Sequence, residues 1–459
     1  MDLLSPLDTR YASQTRKIAT IMGDKAYCIM RMNVELAYLK ILLEMREIRC
    51  EELDKLLDNM KDKKFTDELY IKYNKYEEIT NHDVKAIEYT IGDYIKRIIT
   101  VNDIEYNIKN LVHCGITSQD INSVSTTIML NQGIKYIYDL YISKKQILED
   151  FYNRTDIVSM TYTHGQPAIP SKMNIEMKKL FIRVDNAIEE LTNEKITCKF
   201  SSANGNSSTL SLIYDDKIIT KERLDKLYDD ILKNLHKLCS YDSSNISFTY
   251  HARQIDDYTS YIKILNNIQL IGKAMDQVSH NLWLQTSRGE LQQIKKENEC
   301  GSSVMPHKTN PCKLEQVNSI NKILYHMCEG IKLSICVSRD SRDISDSFAL
   351  RHYGCVFGYL AVLINSLFDG IIRLCPNEQY ITHTLYNYSC IAEYIQTFLR
   401  LNYSYDDEPY KVLERFTKGK EINKEMMHTF IDSLTIIEDD KQFLKSISPN
   451  TYPMFCFFE

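Results

Sequence analysis

Apolar residues between positions 252 and 285 recur at spacings of three or four. When this segment is wound as an α-helix they form one continuous stripe, which is the pattern of a helix packed along one face. The stripe consists of Ile255, Tyr258, Ile262, Leu265, Ile268, Ile271, Met275, Val278 and Leu282. At about 1.5 Å per residue the helix would be about 50 Å long, and helices of that length usually pack in extended bundles, often with other subunits.

The same period returns in two other stretches, and no strand-like alternation or internal repeat competes with it. These stretches contain Ile121, Val124 and Ile128, and Leu314, Val317, Ile320 and Leu324. The polar segment SSANGNSST at 201–209 predicts a loop or short hairpin that interrupts the bundle. The sequence therefore predicts an all-α protein in three parts: an N-terminal domain of short helices (1–104), a central long-helix bundle (105–356) and a smaller C-terminal helical domain (357–459).

Composition agrees with a helical fold. Glycine (14) and proline (9) together make up about 5% of the 459 residues, whereas about 12% is usual. The apolar segment CVFGYLAVLINSLF at 355–368 ends near Asp369 and Arg373. Because a membrane span needs about 18 or more apolar residues, this segment predicts a buried helix in a soluble protein.

Net charge and cysteine content limit the classes of binding partner and the cellular compartment that we expect. The net charge of −6 argues against general binding to nucleic acid or to a membrane surface. The 13 cysteines include no CxxC pair, and no secretory signal precedes them, so we expect reduced thiols in a cytoplasmic protein. The histidines lack ligand spacings such as HExxH, so neither a metal nor another cofactor is expected.

Two proline-containing segments stand out as candidate chemistry on loops between long helices. THGQPAIP at 163–170 places His164 beside a flexible glycine, and histidine is suited to proton transfer near neutral pH. GSSVMPHKTNP at 301–311 combines serine hydroxyls, a glycine that exposes backbone N–H groups, and Lys308. Such a loop can hold and polarise an anionic substrate.

Three more segments have the same polar character: TNHDVKA at 80–86, HCGITSQDIN at 113–122 and SRDSRDISDSFALR at 338–351. Each has a plain structural explanation on its own. His82 or His113 could cap a helix, TSQD could be a helix N-terminus, the arginines could form a solvated salt-bridged face, and the 301–311 loop could be a surface connection. The coincidence of all five segments in one chain favours a functional site.

These segments together resemble a known superfamily. GSSVMPHKTNP matches the fumarase/aspartase signature GSSxMPxKxNP at every specified position, and TSQD and THGQPA resemble its two other signature regions in the expected order. SPLDTRY near the start, TNHDVKAIEY at 80–89, MPHK and SRDSRDISDS at 338–347 resemble the bacterial-type adenylosuccinate lyases. Two segments depart: KFSSANGNSS at 199–208 replaces a Gly-Ala-Val-Gly pattern, and TYHARQIDD at 249–257 matches only loosely.

The resemblance implies an all-α fold of three domains whose central helices assemble into the core of a homotetramer, with each active site shared among three subunits. It implies β-elimination of fumarate from a purine nucleotide. Ser302 matches the general base and His164 the general acid. The matching substrate-binding positions are Arg10, Tyr11, Asn81, His82, Asp83, Thr117, Ser118, Gln254, Lys308, Gln316, Arg342, Ser347 and Arg351.

Two alternatives remain open at this point. A sibling lyase acting on argininosuccinate, malate or aspartate would share the signature loop, although the arginines of 338–351 and His82 favour a phosphorylated purine. A helical tetramer kept for a structural role would be expected to lose its catalytic groups, and here Ser302, Lys308 and His164 are all present.

Overall fold

The computed structural model describes residues 3–95, 97–214, 218–295, 301–405 and 407–454. The helices are α1 (Ala12–Met22), α2 (Asp24–Met45), α3 (Glu51–Asn59), α4 (Lys63–Thr80), α5 (Asp83–Gly92), α6 (Ser118–Ile142), α7 (Lys145–Arg154), α8 (Met173–Asn193), α9 (Ser208–Ile213), α10 (Lys221–Leu238), α11 (Thr259–Arg288), α12 (Cys312–Ile335), α13 (Ser345–Leu350), α14 (Tyr353–Ile371), α15 (Glu378–Thr384), α16 (Ala392–Asn402), α17 (Pro409–Thr417), α18 (Lys424–Asp432) and α19 (Glu438–Ser446). The helical class expected from the sequence is confirmed.

Short strands also occur, which the sequence patterns did not reveal. They are β1 (Ile98–Val101), β2 (Ile104–Asn107), β3 (Val158–Thr163), β4 (Gln166–Lys172), β5 (Ile196–Cys198), β6 (Ile246–Phe248), β7 (Leu291–Gln293) and β8 (Leu374–Pro376). Consecutive pairs form two-stranded sheets, of which β5–β6 is parallel and the others are antiparallel. With three to seven residues each, these strands are too short to show an alternating pattern against the helical background.

One compact unit comprises the chain up to Ile142, Asn186–Gly272 and Ile320–Leu363. Helices α2 and α6 pack together in it, and residues 119–131 of α6 are all buried. Polar side chains on this buried helix find partners, as in the 2.8 Å hydrogen bond between the hydroxyls of Thr127 and Tyr261. The expectation of short N-terminal helices is wrong for α2, which has 22 residues. A helix apolar on nearly every side shows no periodic stripe.

The second compact unit comprises Ser143–Asp185, Lys273–Ser319 and the chain from Ile364 onward. Its core includes the rings of Phe181 and Phe368, whose centroids lie 6.4 Å apart. Arg154 closes the end of α14 by donating hydrogen bonds to the carbonyl oxygens of Ile371 (2.7 Å) and Leu374 (2.8 Å). A cation at a helix C-terminus satisfies carbonyl groups that have no partner within the helix.

The long helix expected over 252–285 is present as α11, but it begins at Thr259. Tyr258 has a left-handed backbone (φ +58°) and the Asp257 carboxylate accepts the Thr259 N–H at 2.8 Å, so the helix cannot extend further back. Its 30 residues span about 45 Å. The expected stripe is buried from Leu265 to Leu282, whereas Ile262 is only half-buried.

The apolar segment at 355–368 lies within α14 and is buried, as the sequence predicts. Among the described residues, Ser345–Ile371 is the segment long and apolar enough to cross a membrane, and 72% of its most apolar stretch is buried inside the protein. Such burial is typical of a core helix. The segment 201–209 forms a loop up to Ser207, after which α9 begins.

Candidate active site

The THGQ segment forms the tip of a β-hairpin rather than the irregular loop expected from the sequence. Thr163 pairs with Gln166, so His164 and Gly165 are the two turn residues between β3 and β4. Both have left-handed backbones, with φ of +50° and +75°. This is the geometry of a type I′ turn, which matches the twist of the paired strands. The hairpin thus presents an exposed imidazole at its tip.

The 301–311 loop in the same unit closes on itself. A Cβ atom on Gly301 would lie 2.3 Å from the carbonyl oxygen of Lys308, so only glycine fits there. The Asn310 amide donates to the Gly301 carbonyl oxygen at 3.1 Å. The Ser302 Oγ accepts hydrogen bonds from the backbone N–H groups of Met305 (3.0 Å) and Val304 (3.4 Å). Two N–H dipoles therefore point at the oxygen that would carry negative charge in an alkoxide.

His82 caps α5 in the other compact unit. Its Nδ1 accepts the Lys85 backbone N–H at 3.1 Å, while the residue before it, Asn81, has a left-handed backbone (φ +48°) that ends α4. The capping explanation is therefore correct for one ring nitrogen. Because Nδ1 serves as an acceptor, a neutral ring carries its proton on Nε2, which leaves a donor on an exposed side chain.

Asp83, the next residue, organises two arginines. Its carboxylate lies 2.9 Å from Arg31 and 2.8 Å from Arg351. Arg31 is almost fully buried, and its guanidinium stacks 3.7 Å from the centre of the Tyr27 ring. Burial would raise the pKa of Asp83, but the two guanidinium groups hold it below its usual value. Asp83 is thus a permanent anion that fixes Arg351, which is more exposed.

The TSQD segment starts α6 at Ser118, with Thr117 directly before it. The Asp120 carboxylate accepts backbone N–H groups from Thr117 (2.9 Å), Ser201 (2.8 Å) and Ser202 (3.1 Å). It also lies 2.7 Å from the amine of Lys199, and both side chains are completely buried. Burial raises the pKa of Asp120 and lowers that of Lys199, while each charge opposes the shift of the other.

The sequence did not predict this buried ion pair. It joins the TSQD segment to the segment 199–208, which departs from the family pattern. A lysine between two apolar residues, Cys198 and Phe200, was the signal that could have revealed it. Ser202, within the segment that replaces the Gly-Ala-Val-Gly pattern, has a left-handed backbone (φ +64°). Its hydroxyl donates to the Gly115 carbonyl oxygen at 2.8 Å, which helps to hold this unfavourable conformation.

Arg342 lies near this ion pair, since its charge contributes to the low pKa of Lys199. The Arg342 guanidinium donates to the Ser347 hydroxyl at 3.2 Å. With its amide oxygen facing the guanidinium, Gln119 accepts a second hydrogen bond. Both partners are neutral, so they orient Arg342 without cancelling its charge, and the group is suited to bind an anion.

His113 forms an ion pair, whereas the sequence suggested only helix capping as its structural role. Its Nδ1 lies 2.5 Å from the Glu35 carboxylate, which is completely buried. Although burial opposes the charged imidazole, the Glu35 carboxylate raises the pKa of His113 above its usual value. The interaction with Glu35 therefore favours the charged form of this imidazole, five residues before Ser118.

The remaining sequence candidates lie in turns and on helix surfaces. Arg10 is exposed in the turn before α1, and Tyr11 is half-buried at the end of that turn. Gln254 is half-buried in the bend between β6 and α11, and Gln316 is half-buried in the second turn of α12. Lys308 is exposed on the 301–311 loop. Direct contacts join Asp83 with Arg351 and Arg342 with Ser347.

No group of three histidine, cysteine, aspartate or glutamate side chains is placed to hold a metal ion within the described ranges of the chain. The fold resembles the crystal structure of a fumarate lyase from Mesorhizobium sp. BNC1. The TM-score is 0.69 at 14% identity, covering 95% of this chain and 94% of that one. A sequence model of the family described as "Lyase" matches residues 6–323. The class is therefore that of a lyase of the fumarase/aspartase superfamily.

Narrower comparisons identify the branch. A second family model, "Adenylosuccinate lyase C-terminal", matches residues 338–453. The adenylosuccinate lyase of Buchnera aphidicola subsp. Acyrthosiphon pisum (strain APS) is 30% identical over 98% of this chain and 96% of that protein. The adenylosuccinate lyase of Dictyostelium discoideum is 29% identical over the same shares. The chain belongs to the adenylosuccinate lyase family, and it is a carbon–nitrogen lyase.

Proposed function

We propose that the enzyme cleaves adenylosuccinate to AMP and fumarate. We also propose that it cleaves the succinylaminoimidazole carboxamide ribonucleotide to the carboxamide ribonucleotide and fumarate, both by β-elimination with Ser302 as base and His164 as acid. The observation that carries this mechanism is the pair of backbone N–H groups, from Val304 and Met305, that bond the Ser302 Oγ. A serine hydroxyl is a weak base unless its alkoxide is stabilised.

The elimination moves one electron pair through the substrate. The Ser302 alkoxide removes the proton from Cβ, and the negative charge spreads onto the adjacent carboxylate. Lys308 supplies a positive charge on the same loop, which favours this intermediate. The electrons then form the carbon–carbon double bond of fumarate as the C–N bond breaks, and His164 donates a proton to the departing nitrogen.

Substrate anions require cationic and dipolar groups, although the chain is net acidic. We propose that Arg342 and Arg351, already oriented by Ser347 and Asp83, bind the phosphate or the carboxylates. Thr117 and Ser118 lie at the N-terminus of α6, where backbone N–H groups and the helix dipole favour an anion. The other proposed substrate contacts are Arg10, Tyr11, Asn81, His82, Gln254 and Gln316.

We further propose a homotetramer whose active sites are each shared among three subunits. The side chain of Leu333 on α12 is 75% exposed, and that of Val337, just after the helix, is 74% exposed. An apolar groove of about 640 Å³ beside Phe348 and Ile331 lies in the same compact unit. Exposed apolar surface of this kind is typical of protein interfaces. The free thiols of the described cysteines fit a cytoplasmic enzyme.

The test follows the ultraviolet absorbance of adenylosuccinate and the release of fumarate. Ser302→Ala should lower turnover at least about 10²-fold with substrate binding retained, because a positioned base contributes about 10²–10⁴-fold. The adjacent exposed Ser303 provides the matched control, Ser303→Ala, which should stay close to the wild type. Near wild-type turnover of Ser302→Ala would refute the assignment of the base.

The same variants test the shared site. Ser302→Ala and His164→Ala are each expected to retain only a small residual turnover alone. If the two groups of one site come from different subunits, random mixing leaves about a quarter of the sites with both groups intact. Mixed tetramers without recovered activity would contradict the shared site. If the folded wild type left adenylosuccinate unchanged, argininosuccinate and malate would be tried next.

A further inference from the structure

The hairpin that carries His164 rests on the C-terminal end of α11 through one aromatic ring. Tyr162 pairs with Pro167 across the hairpin, two residues before the histidine. Arg288, the last residue of α11, places its guanidinium carbon 4.0 Å from the centre of the Tyr162 ring. This is a close cation–π contact, which attracts the guanidinium to the face of the ring.

Arg288 is in turn fixed by Glu290. Its Nη2 and Nε donate to one carboxylate oxygen of Glu290 at 2.8 and 3.2 Å. Glu290 is almost completely buried, with 2% of its surface exposed, and the Tyr162 hydroxyl interacts with its carboxylate. Burial raises the pKa of Glu290, and the two partners oppose that rise. The three side chains, here named the Tyr162 clamp, therefore form one interacting group.

The backbone holds the acidic member of the clamp in place. Gly289 has a left-handed backbone (φ +93°), and a Cβ there would lie 3.4 Å from the Tyr380 ring. The Asn377 N–H donates to the Glu290 carbonyl oxygen at 2.9 Å. Leu291, the next residue, begins β7, which pairs with β8. Glu290 is thus anchored beside a two-stranded sheet that is separate from the hairpin.

We propose that Tyr162, Arg288 and Glu290 are positioning residues that hold the His164 turn in the orientation needed for proton transfer. The inference rests on the acid role proposed for His164. The turn lies at the exposed tip of a two-stranded hairpin, and the clamp contacts that hairpin at Tyr162, two residues before His164. A catalytic group displaced by about 1 Å can lose up to about 10²-fold in rate.

Arg288→Met tests the clamp, because methionine keeps an apolar stem over the ring but removes the guanidinium. We expect kcat to fall about tenfold with KM within about twofold, since the acid is misplaced while substrate binding is unchanged. Tyr162→Phe keeps the ring and loses only the hydroxyl that interacts with Glu290, so a smaller loss of the same kind is expected. If Arg288→Met does not fold, Tyr162→Phe carries the test.

Arg183→Met is the matched control, because this exposed arginine of the same compact unit makes a single 2.9 Å hydrogen bond to Gln277. It should leave turnover unchanged. The decisive measurement repeats Arg288→Met in a His164→Ala background. If the clamp acts through the imidazole, no further loss is expected once the imidazole is gone. A second loss of similar size in that background would show a purely structural role and overturn the inference.

Hydrogen exchange separates this inference from the role of His164. The peptide covering residues 158–172 should exchange faster in Arg288→Met than in the wild type or in Arg183→Met, because the hairpin loses its cation–π contact with the end of α11. If His164→Ala retained turnover, the acid assignment would fail while faster exchange would still support the clamp. Unchanged exchange in Arg288→Met would overturn the clamp whatever the role of His164.

Discussion

The buried pair between Asp120 and Lys199 allows a sharp prediction about stability. Both side chains are completely buried, and their charged atoms lie 2.7 Å apart. Lys199→Met would remove the cation while keeping a side chain of similar length, so little cavity would form. Asp120 would keep its hydrogen bonds from three backbone N–H groups but would lose the opposing charge.

An uncompensated buried charge costs about 3–5 kcal/mol. Because a chain of 459 residues with two compact units is not expected to unfold in one two-state step, we compare apparent melting temperatures of variants scanned under identical conditions rather than free energies of unfolding. We expect Lys199→Met to lower that temperature by several degrees. The difference in melting temperature between Lys199→Met and the wild type should shrink as the pH is lowered, because a protonated Asp120 has no charge to bury.

Scanning calorimetry of three variants checks this reasoning. Lys135→Met is the control, since this lysine is 65% exposed in its ion pair with Asp139 and should contribute less than about 1 kcal/mol. Lys199→Met combined with Asp120→Asn should recover much of the loss, because a neutral amide still accepts backbone hydrogen bonds. If Lys199→Met melted as high as Lys135→Met, the buried pair would not stabilise the fold as argued.

Two further predictions concern the same compact unit. Glu35 raises the pKa of His113, so the stability from this pair is fully present below about pH 6.5 and is lost as the pH rises through the raised pKa. The difference in melting temperature between wild type and His113→Gln should therefore shrink from pH 6 to pH 9, and a constant difference would contradict the ion pair. Gly205→Ala should destabilise strongly because its Cβ would lie 1.9 Å from the Ala252 carbonyl oxygen, whereas Ser202→Gly should change stability by less than about 1 kcal/mol. Equal melting temperatures of these two variants would contradict that backbone argument.

The hairpin at His164 shows where sequence reasoning stops. Pro167 and Pro170 argue against a strand, because proline lacks the N–H that a sheet ladder uses. In a two-stranded sheet both strands are edges, so a proline nitrogen can face away from the partner. The turn residues, His164 and Gly165, are not among the common turn pairs such as Asn-Gly. The segment was identified as functional from its chemistry, but its conformation was not.

The partners of the site residues were equally hidden. Asp83 and Arg351 are 268 positions apart in the sequence, and the Asp120 and Lys199 positions differ by 79. Nothing in the local sequence of these charged residues indicates which partner each of them meets. Only burial, which removes water from around the charge, makes a specific partner necessary.

The sequence by itself determined the helical class, the buried stripes of α6, α11 and α12, the glycine-dependent loop at 301–311 and the identity of its serine and lysine. These depend on the chemistry and spacing of neighbouring residues, which a chain displays locally. The tertiary structure alone decided that Ser302 receives two N–H bonds, that His164 stands on a hairpin, and that Tyr162 meets Arg288 and Glu290. The Ser302 bonds and the His164 turn are local, but the surrounding packing selects the backbone conformation that forms them. Tyr162 meets residues distant in sequence, and such contacts arise only when packing excludes water and fixes each partner in place.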